Sequence, residues 1–149
     1  MAVETMRDLM WSVDPKKDTW GNFIKACQGY VQNVIGKNHW TIDWEIEGDP
    51  QIRINPGMRK QLFLVFKEII TNILKHASAN KVSMTLRYDQ GIHILISDDG
   101  VGFDSSNLEN FDGVGLRSVC RRLDDLNAEY KVESAEGEGI LWQITVPVK

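Results

Sequence analysis

The sequence predicts an α+β fold in which one sheet carries its helices on one face. Segments with a helical spacing of apolar residues come between pairs of segments that alternate apolar and polar residues as strands do. The 149 residues leave room for one domain, or for one domain and a short arm. Hydrophobic residues make up 42% and charged residues 26% of the chain, so general disorder is excluded.

The first helix is predicted to begin at Asp18 or Thr19, because either side chain can cap a helix N-terminus. We expect it to end at Gly36. Its apolar residues at helical spacing are Trp20, Phe23, Cys27, Tyr30, Val31 and Val34. The preceding residues 1–17 read as a turn or two of helix that stops before Pro15, followed by a short linker. On composition alone, a frayed terminus and the tail of a longer helix are both open.

Two strands and a long helix are predicted next. Residues 41–47 alternate apolar and polar side chains, and residues 52–54 form a short strand that closes at the turn signal Asn55-Pro56-Gly57. Residues 58–77 have the clearest helical pattern of the chain. Their apolar stripe consists of Leu62, Phe66, Ile69, Ile73 and Ala77.

The C-terminal half predicts a hairpin, a helix and two further strands. The predicted elements are a hairpin of residues 82–88 and 92–96, an exposed loop at residues 104–113, a helix containing Leu116, Val119, Leu123 and Leu126, and strands at residues 130–134 and 140–146. The order of these elements favours hairpins with helices between them, as in α+β proteins.

Charge and cysteine usage narrow the class of protein. The net charge of -4 argues against a protein that coats nucleic acid or an anionic membrane. No apolar run approaches the roughly 20 residues that span a bilayer, and the first residues have no signal-peptide pattern. Cys27 and Cys120 lack CxxC spacing and indicate thiols of a reducing compartment. We therefore expect a cytoplasmic location.

The long helix has an unusual polar face beside its apolar stripe. Glu68, Asn72, Lys75 and His76 follow one another at helical spacing, so they share one side of the helix. Carboxylate and amide oxygens suit Mg²⁺, and a lysine nearby suits phosphate. The alternative is a solvated helix face with a local side-chain network.

Two glycine-containing motifs follow this helix. Asp98 ends a well-patterned strand and is followed by Gly100 and Gly102. A carboxylate there can accept a hydrogen bond from the amino group of adenine, although Asp-Gly is also common in plain turns. The second motif, Gly113-Val-Gly115-Leu116, opens the next helix, where free backbone N–H groups can hold phosphate oxygens.

Together these motifs resemble the Bergerat ATP-binding fold that is shared by histidine kinases, gyrase, heat-shock ATPase chaperones and mismatch-repair ATPases. The resemblance covers roughly residues 19 to 148 and implies a two-layer α/β sandwich, a mixed sheet of about five to six strands with three helices on one face. The matching motifs are Glu68-Ile-Ile-Thr-Asn72-Ile-Leu-Lys75-His76-Ala77 (N box), Asp98-Asp-Gly100-Val-Gly102-Phe103 (G1 box), Gly113-Val-Gly115-Leu116 (G2 box) and Ser134-Ala-Glu-Gly137-Glu-Gly139-Ile140-Leu-Trp142 (last glycine box).

Within this superfamily the sequence is most similar to sensor histidine kinases of two-component systems. Lys75-His76-Ala77 after Asn72, and Arg117-Ser-Val after Leu116, are typical of the short-lid kinases that act on helix-turn-helix response regulators. Residues 7–15 are similar to the end of the second helix of their dimerisation and phosphoacceptor module. The resemblance therefore implies a helix tail and linker at residues 1–17 and an ATP-binding catalytic domain at residues 18–149.

The resemblance also implies a role for each motif residue. Asn72 ligates Mg²⁺ on the ATP phosphates, and Glu68 either positions that ion or acts as a catalytic base. Lys75 and His76 would lie near the phosphates, and Asp98 would recognise the adenine base. The glycine-motif residues that shape the base pocket or hold phosphate through their amides are Gly100, Gly102, Gly113, Gly115 and Leu116.

Two departures from the family pattern stand out. Ile140 occupies a position where the last glycine box usually has threonine. None of His39, His76 and His93 is followed by an acidic residue, as the phosphoacceptor of the family is. We therefore expect a fragment that binds Mg-ATP but does not phosphorylate itself.

The expected partners follow from the same resemblance. They are the phosphoacceptor helices of a parent kinase and a response regulator, with no nucleic acid and no direct membrane contact by this fragment, which is expected to be a monomer. The parent's own membrane anchoring is open. Two alternatives are a free-standing anti-sigma-factor serine kinase of the same fold and a non-catalytic nucleotide-binding module.

Overall fold

The computed structural model describes residues 18–35, 41–73, 81–100, 116–134 and 139–147. These residues form three helices and a five-stranded mixed sheet, which confirms the predicted α+β fold. The elements in chain order are α1 (Trp20–Ile35), β1 (Thr41–Glu47), α2 (Pro56–Asn72), β2 (Lys81–Tyr88), β3 (Gly91–Asp98), α3 (Leu116–Asp125), β4 (Glu129–Ser134) and β5 (Ile140–Pro147).

The strands lie in the order β1-β2-β3-β5-β4. β1 is parallel to β2, and all the other neighbouring pairs are antiparallel. Because side chains alternate along a strand, one face of the sheet collects the apolar residues. In register across the three central strands, Met84 lies opposite Ile96, and Ile96 lies opposite Trp142. All three side chains are buried.

The helices pack on this apolar face. From α2, Leu62, Phe66 and Ile69 enter the same buried cluster as the strand residues, and burying one such side chain contributes roughly 1.5–3 kcal/mol. The rings of Trp44 and Phe66 stack with their centroids 6.4 Å apart. The hydroxyl groups of Tyr30 and Thr71, which lie 2.8 Å apart, link α1 to α2.

α2 begins two residues earlier than the sequence pattern predicts. Asn55 caps the helix, because its Oδ1 accepts hydrogen bonds from the backbone N–H groups of Gly57 at 2.8 Å and Met58 at 3.1 Å. Pro56 occupies the first helical turn, where its missing N–H costs nothing. The three residues that read as a turn signal are therefore a helix start. The predicted continuation of the helix through residues 74–77 lies outside the described residues.

The short strand predicted at residues 52–54 is not part of the sheet. The carbonyl of Ile52 accepts from the N–H of Trp20 at 2.8 Å, and the N–H of Ile54 donates to the carbonyl of Asp18 at 2.9 Å. The segment thus pairs with the start of α1, through a single bridge between Thr19 and Arg53. A three-residue alternation cannot show which partner a segment pairs with.

The start of α1 settles which of the two predicted caps is used. The Oγ1 of Thr19 accepts a hydrogen bond from the N–H of Asn22 at 3.3 Å. Asp18 instead forms a buried ion pair with Arg59 of α2. No helix among the described residues is long and apolar enough to span a membrane.

Candidate functional site

Among the predicted site residues that the structure describes, Asp98 lies at one end of the sheet, where β3 ends. Ser97 of β3 lies opposite Leu141 of β5, so the end of β3 lies beside the beginning of β5. The opposite end of the strands, at Tyr88 and Pro147, lines a groove of about 560 Å³ together with Asn55, the cap of α2. Because α2 starts there and 17 helical residues span roughly 25 Å, its last turn points toward the end where Asp98 lies.

Asp98 is buried at this end of the sheet, with 9% of its surface exposed. Its Oδ1 accepts a hydrogen bond from the backbone N–H of Gly100 at 2.7 Å. Its Oδ2 is buried and has no hydrogen-bond partner among the described residues. Burial raises the pKa of this carboxyl, and the nearby charge of Asp99 adds to the rise, while hydrogen bonding from the backbone of Gly100 and, more weakly, of Ile140 opposes it. A buried acceptor of this kind needs a hydrogen-bond donor.

Gly139 packs directly against Asp98. A methyl group added at Gly139 would lie 2.0 Å from the carbonyl oxygen of Asp98, and the φ angle of Gly139 is +79°. Both observations require glycine at this position. The sequence motif contains Gly139, but the sequence alone does not indicate this contact, because the contact depends on the pairing of β3 with β5.

Glu68 and Asn72 lie on the last turns of α2, four residues apart and therefore on the same side of the helix. Both side chains are half-buried. Neither has a hydrogen-bond or ion-pair partner among the residues that the structure describes. Their carboxylate and amide oxygens are the donor types that Mg²⁺ takes from proteins, with water completing the shell.

The other predicted site residues are less fully described. Gly100, the second residue after β3, is buried, and Leu116 is the first residue of α3. Lys75, His76, Gly102, Gly113 and Gly115 lie outside the described residues. Within the described part of the chain, no three His, Cys, Asp or Glu side chains come together as a metal cluster.

Comparison with protein families gives a match over most of the chain. Residues 57–149 match the family described as histidine kinase-, DNA gyrase B- and HSP90-like ATPase. An uncharacterised sensor-like histidine kinase of Chloroflexus aurantiacus is 31% identical over 105 residues, which are 66% of this chain and 18% of that protein. The sensor histidine kinase LiaS of Bacillus subtilis is 27% identical over 108 residues, which are 72% of this chain and 29% of that protein. The matched part is thus less than a third of these relatives.

Solved structures show the same fold. The blue-light activated histidine kinase of Erythrobacter litoralis EL346 is similar over 97% of this chain and 46% of its own, with a TM-score of 0.72 and 22% identity. The histidine kinase AdeS of Acinetobacter baumannii is similar over 83% of this chain and 64% of its own, with a TM-score of 0.62 and 17% identity. At these identities the likeness concerns the fold.

Proposed function

Because the chain belongs to the family of histidine kinase-, DNA gyrase B- and HSP90-like ATPases and is the ATP-binding catalytic domain of a histidine kinase, we propose that it binds Mg-ATP and donates the γ-phosphoryl group to a histidine on a separate dimerisation module. The observation that carries this proposal is the buried Asp98, whose Oδ2 has no partner among the described residues. Relatives that are sensor kinases favour this function over a serine kinase of the same fold.

Asp98 is proposed to recognise the adenine base. Its Oδ1 is held by Gly100, so its Oδ2 is the acceptor that remains for the amino group of adenine. Guanine has a carbonyl oxygen at the corresponding position, which would face the carboxylate oxygen and repel it. Gly100 and Gly102 would let the flat base approach the backbone closely. This arrangement supports selection of ATP over GTP.

The phosphate groups are proposed to bind between the end of α2 and the start of α3. Asn72 would hold Mg²⁺, and Glu68 would either position the ion's water or take a proton from the attacking histidine. Bound Mg²⁺ would supply charge neutralisation on the phosphate oxygens. The remaining residues proposed to contact phosphate are Lys75, His76, Gly113, Gly115 and Leu116. Their contribution is positioning and charge stabilisation, which dominate phosphoryl transfer.

The acceptor histidine is proposed to lie on another module of a longer parent kinase. The chain corresponds to less than a third of the curated relatives described above. We propose that residues 1–17 are the tail of a dimerisation helix and a linker, that the domain itself occupies residues 18–149, and that a response regulator receives the phosphoryl group. The chain alone would be a cytoplasmic monomer that does not phosphorylate itself.

Calorimetry with Mg²⁺ and a non-hydrolysable ATP analogue tests the proposal directly. The chain should bind the analogue, and the Asp98→Asn variant should bind it at least about tenfold more weakly, because an amide donor then faces the amino group of adenine. The same variant should gain relative affinity for the GTP analogue. Asp89→Asn, at the other end of the β2–β3 hairpin, is the matched control.

Three results would contradict parts of the proposal. Unmeasurable binding of the ATP analogue by the unsubstituted chain would refute nucleotide binding. Phosphohistidine formed on the purified chain alone would refute the separate acceptor. An Asn72→Ala variant with unchanged affinity for the Mg²⁺ complex and unchanged phosphoryl transfer in the parent kinase would favour a non-catalytic module.

A further inference from the structure

A second carboxylate, that of Asp99, holds the end of β3 against β2. The backbone N–H of Lys81 donates to the Oδ1 of Asp99 at 2.9 Å. The backbone N–H of Asp99 donates to the carbonyl of Lys81 at 3.1 Å. These two bonds lie one step beyond the last regular pair of the ladder, Val82 with Asp98. Asp99 therefore makes a two-point contact with the first residue of β2.

The side chain of Asp99 takes the place of its own backbone carbonyl in this contact. In an antiparallel ladder, a hydrogen-bonded pair of residues exchanges two N–H···O=C bonds. Here one of the two acceptors is a carboxylate oxygen, so the N–H of Lys81 is bonded to the side chain of Asp99. The backbone can then leave the strand at Asp99, and the N–H of Gly100 turns back to the Oδ1 of Asp98 at 2.7 Å.

We propose that Asp99 is a positioning residue for nucleotide recognition, which fixes the point where β3 ends and so the orientation of the Asp98 carboxylate. The inference rests on the proposed function of Asp98. Asp99 is itself exposed, so it acts through the turn that it starts. When that turn is fixed, Oδ1 of Asp98 is occupied by Gly100 and Oδ2 is presented to the base.

A competing explanation is that Asp99 acts by its charge, since it lies beside Asp98 and repels the ionised form of that carboxyl. The two explanations predict different results for two substitutions. Asp99→Asn keeps an oxygen acceptor for the Lys81 N–H but removes the charge. Asp99→Ala removes both. If the acceptor positions Asp98, only the alanine variant is impaired.

The experiment measures the dissociation constants of the 149-residue chain for the Mg²⁺ complexes of ATP and GTP analogues. We expect Asp99→Ala to weaken ATP binding by about tenfold, which corresponds to the net free energy of one hydrogen bond. The variant should also show a lower ratio of the GTP dissociation constant to the ATP dissociation constant. Asp99→Asn should retain the affinity and the ratio of the unsubstituted chain. Asp89→Ala is the control, because it removes a carboxylate at the far end of the same hairpin.

The thermal midpoint of each variant without nucleotide separates positioning from general stability. A purely structural role would lower the midpoint of Asp99→Ala and leave the ratio of the two dissociation constants unchanged, and that result would overturn the inference. Equal impairment of Asp99→Asn and Asp99→Ala would also overturn it. If the unsubstituted chain bound neither nucleotide, the proposed function itself would fail, and this inference with it.

Discussion

The contact between Gly139 and Asp98 allows a quantitative prediction for the Gly139→Ala variant. The added methyl carbon would lie 2.0 Å from the Asp98 carbonyl oxygen, whereas real contacts of this kind are essentially never under 3.0 Å. The two backbones must therefore separate by at least about 1 Å. A positive φ costs an alanine about 1–2 kcal/mol, and forcing packed groups apart costs about 1–3 kcal/mol.

We expect Gly139→Ala to lower the free energy of unfolding by about 2–5 kcal/mol, because these two costs act together. It should also weaken binding of the ATP analogue by at least about tenfold, because a displacement of this size at a binding group is costly. Urea unfolding gives the stability, and calorimetry with Mg²⁺ gives the affinity. At the same nucleotide concentration, binding should raise the free energy of unfolding of the variant by less than that of the unsubstituted chain.

Gly29→Ala is the matched control for this prediction. Gly29 is exposed within α1, and an added methyl group there would meet no atom within 4 Å. Alanine should therefore stabilise the chain by about 0.5–1 kcal/mol and leave nucleotide binding unchanged. The reasoning would be refuted if Gly139→Ala kept the stability and the affinity of the unsubstituted chain.

Three further predictions concern stability. Asp18→Ala removes the carboxylate that pairs with the buried Arg59 and should lower the free energy of unfolding in urea by about 3–5 kcal/mol. A decrease below about 1 kcal/mol, which is typical of an exposed ion pair, would contradict this. Asn55→Ala removes the cap of α2 and should cost about 1 kcal/mol, whereas Asn55→Asp should retain most of the stability. Because burial raises the pKa of Asp98 above its unfolded value, its contribution to stability is present at acid pH and is lost as the pH rises through the folded pKa. The free energy of unfolding of the Asp98→Asn variant should therefore fall less between about pH 4 and pH 7 than that of the unsubstituted chain. Identical pH profiles of the two proteins would refute this.

The sequence predicted those parts of the fold that depend on local patterns. The five strands of the sheet are long enough to alternate clearly, and their predicted bounds agree with the structure to within about two residues. Residues 52–54 were predicted wrongly because three residues carry no information about their partner, which is the start of α1. Asn55-Pro56-Gly57 was ambiguous because asparagine before proline is typical both of turns and of helix starts.

The candidate site was predictable where its chemistry follows from residue type. An aspartate after an apolar strand predicted a buried carboxylate, and Asp98 is buried. The contacts that hold Asp98 were not predictable. Gly139 reaches it only because β5 pairs with β3, and Asp99 reaches Lys81 only because β2 pairs with β3 in one register. The roles of Glu68 and Asn72 in binding a metal ion stay predictions.

The parallel pairing of β1 with β2 has a consequence for how a ligand would act on the domain. Because β1 and β2 run in the same direction, the segment that connects them must cross back along the sheet, and α2 belongs to this segment. Only eight residues separate Asn72, the last residue of α2, from Lys81, where β2 begins and which Asp99 holds. A nucleotide that contacted Asn72 with its phosphates and Asp98 with its base would connect the last turn of α2 to the end of β3, which Asp99 holds against the start of β2. Amide hydrogen exchange in the last turn of α2 and at the start of β2 should then slow together when nucleotide binds.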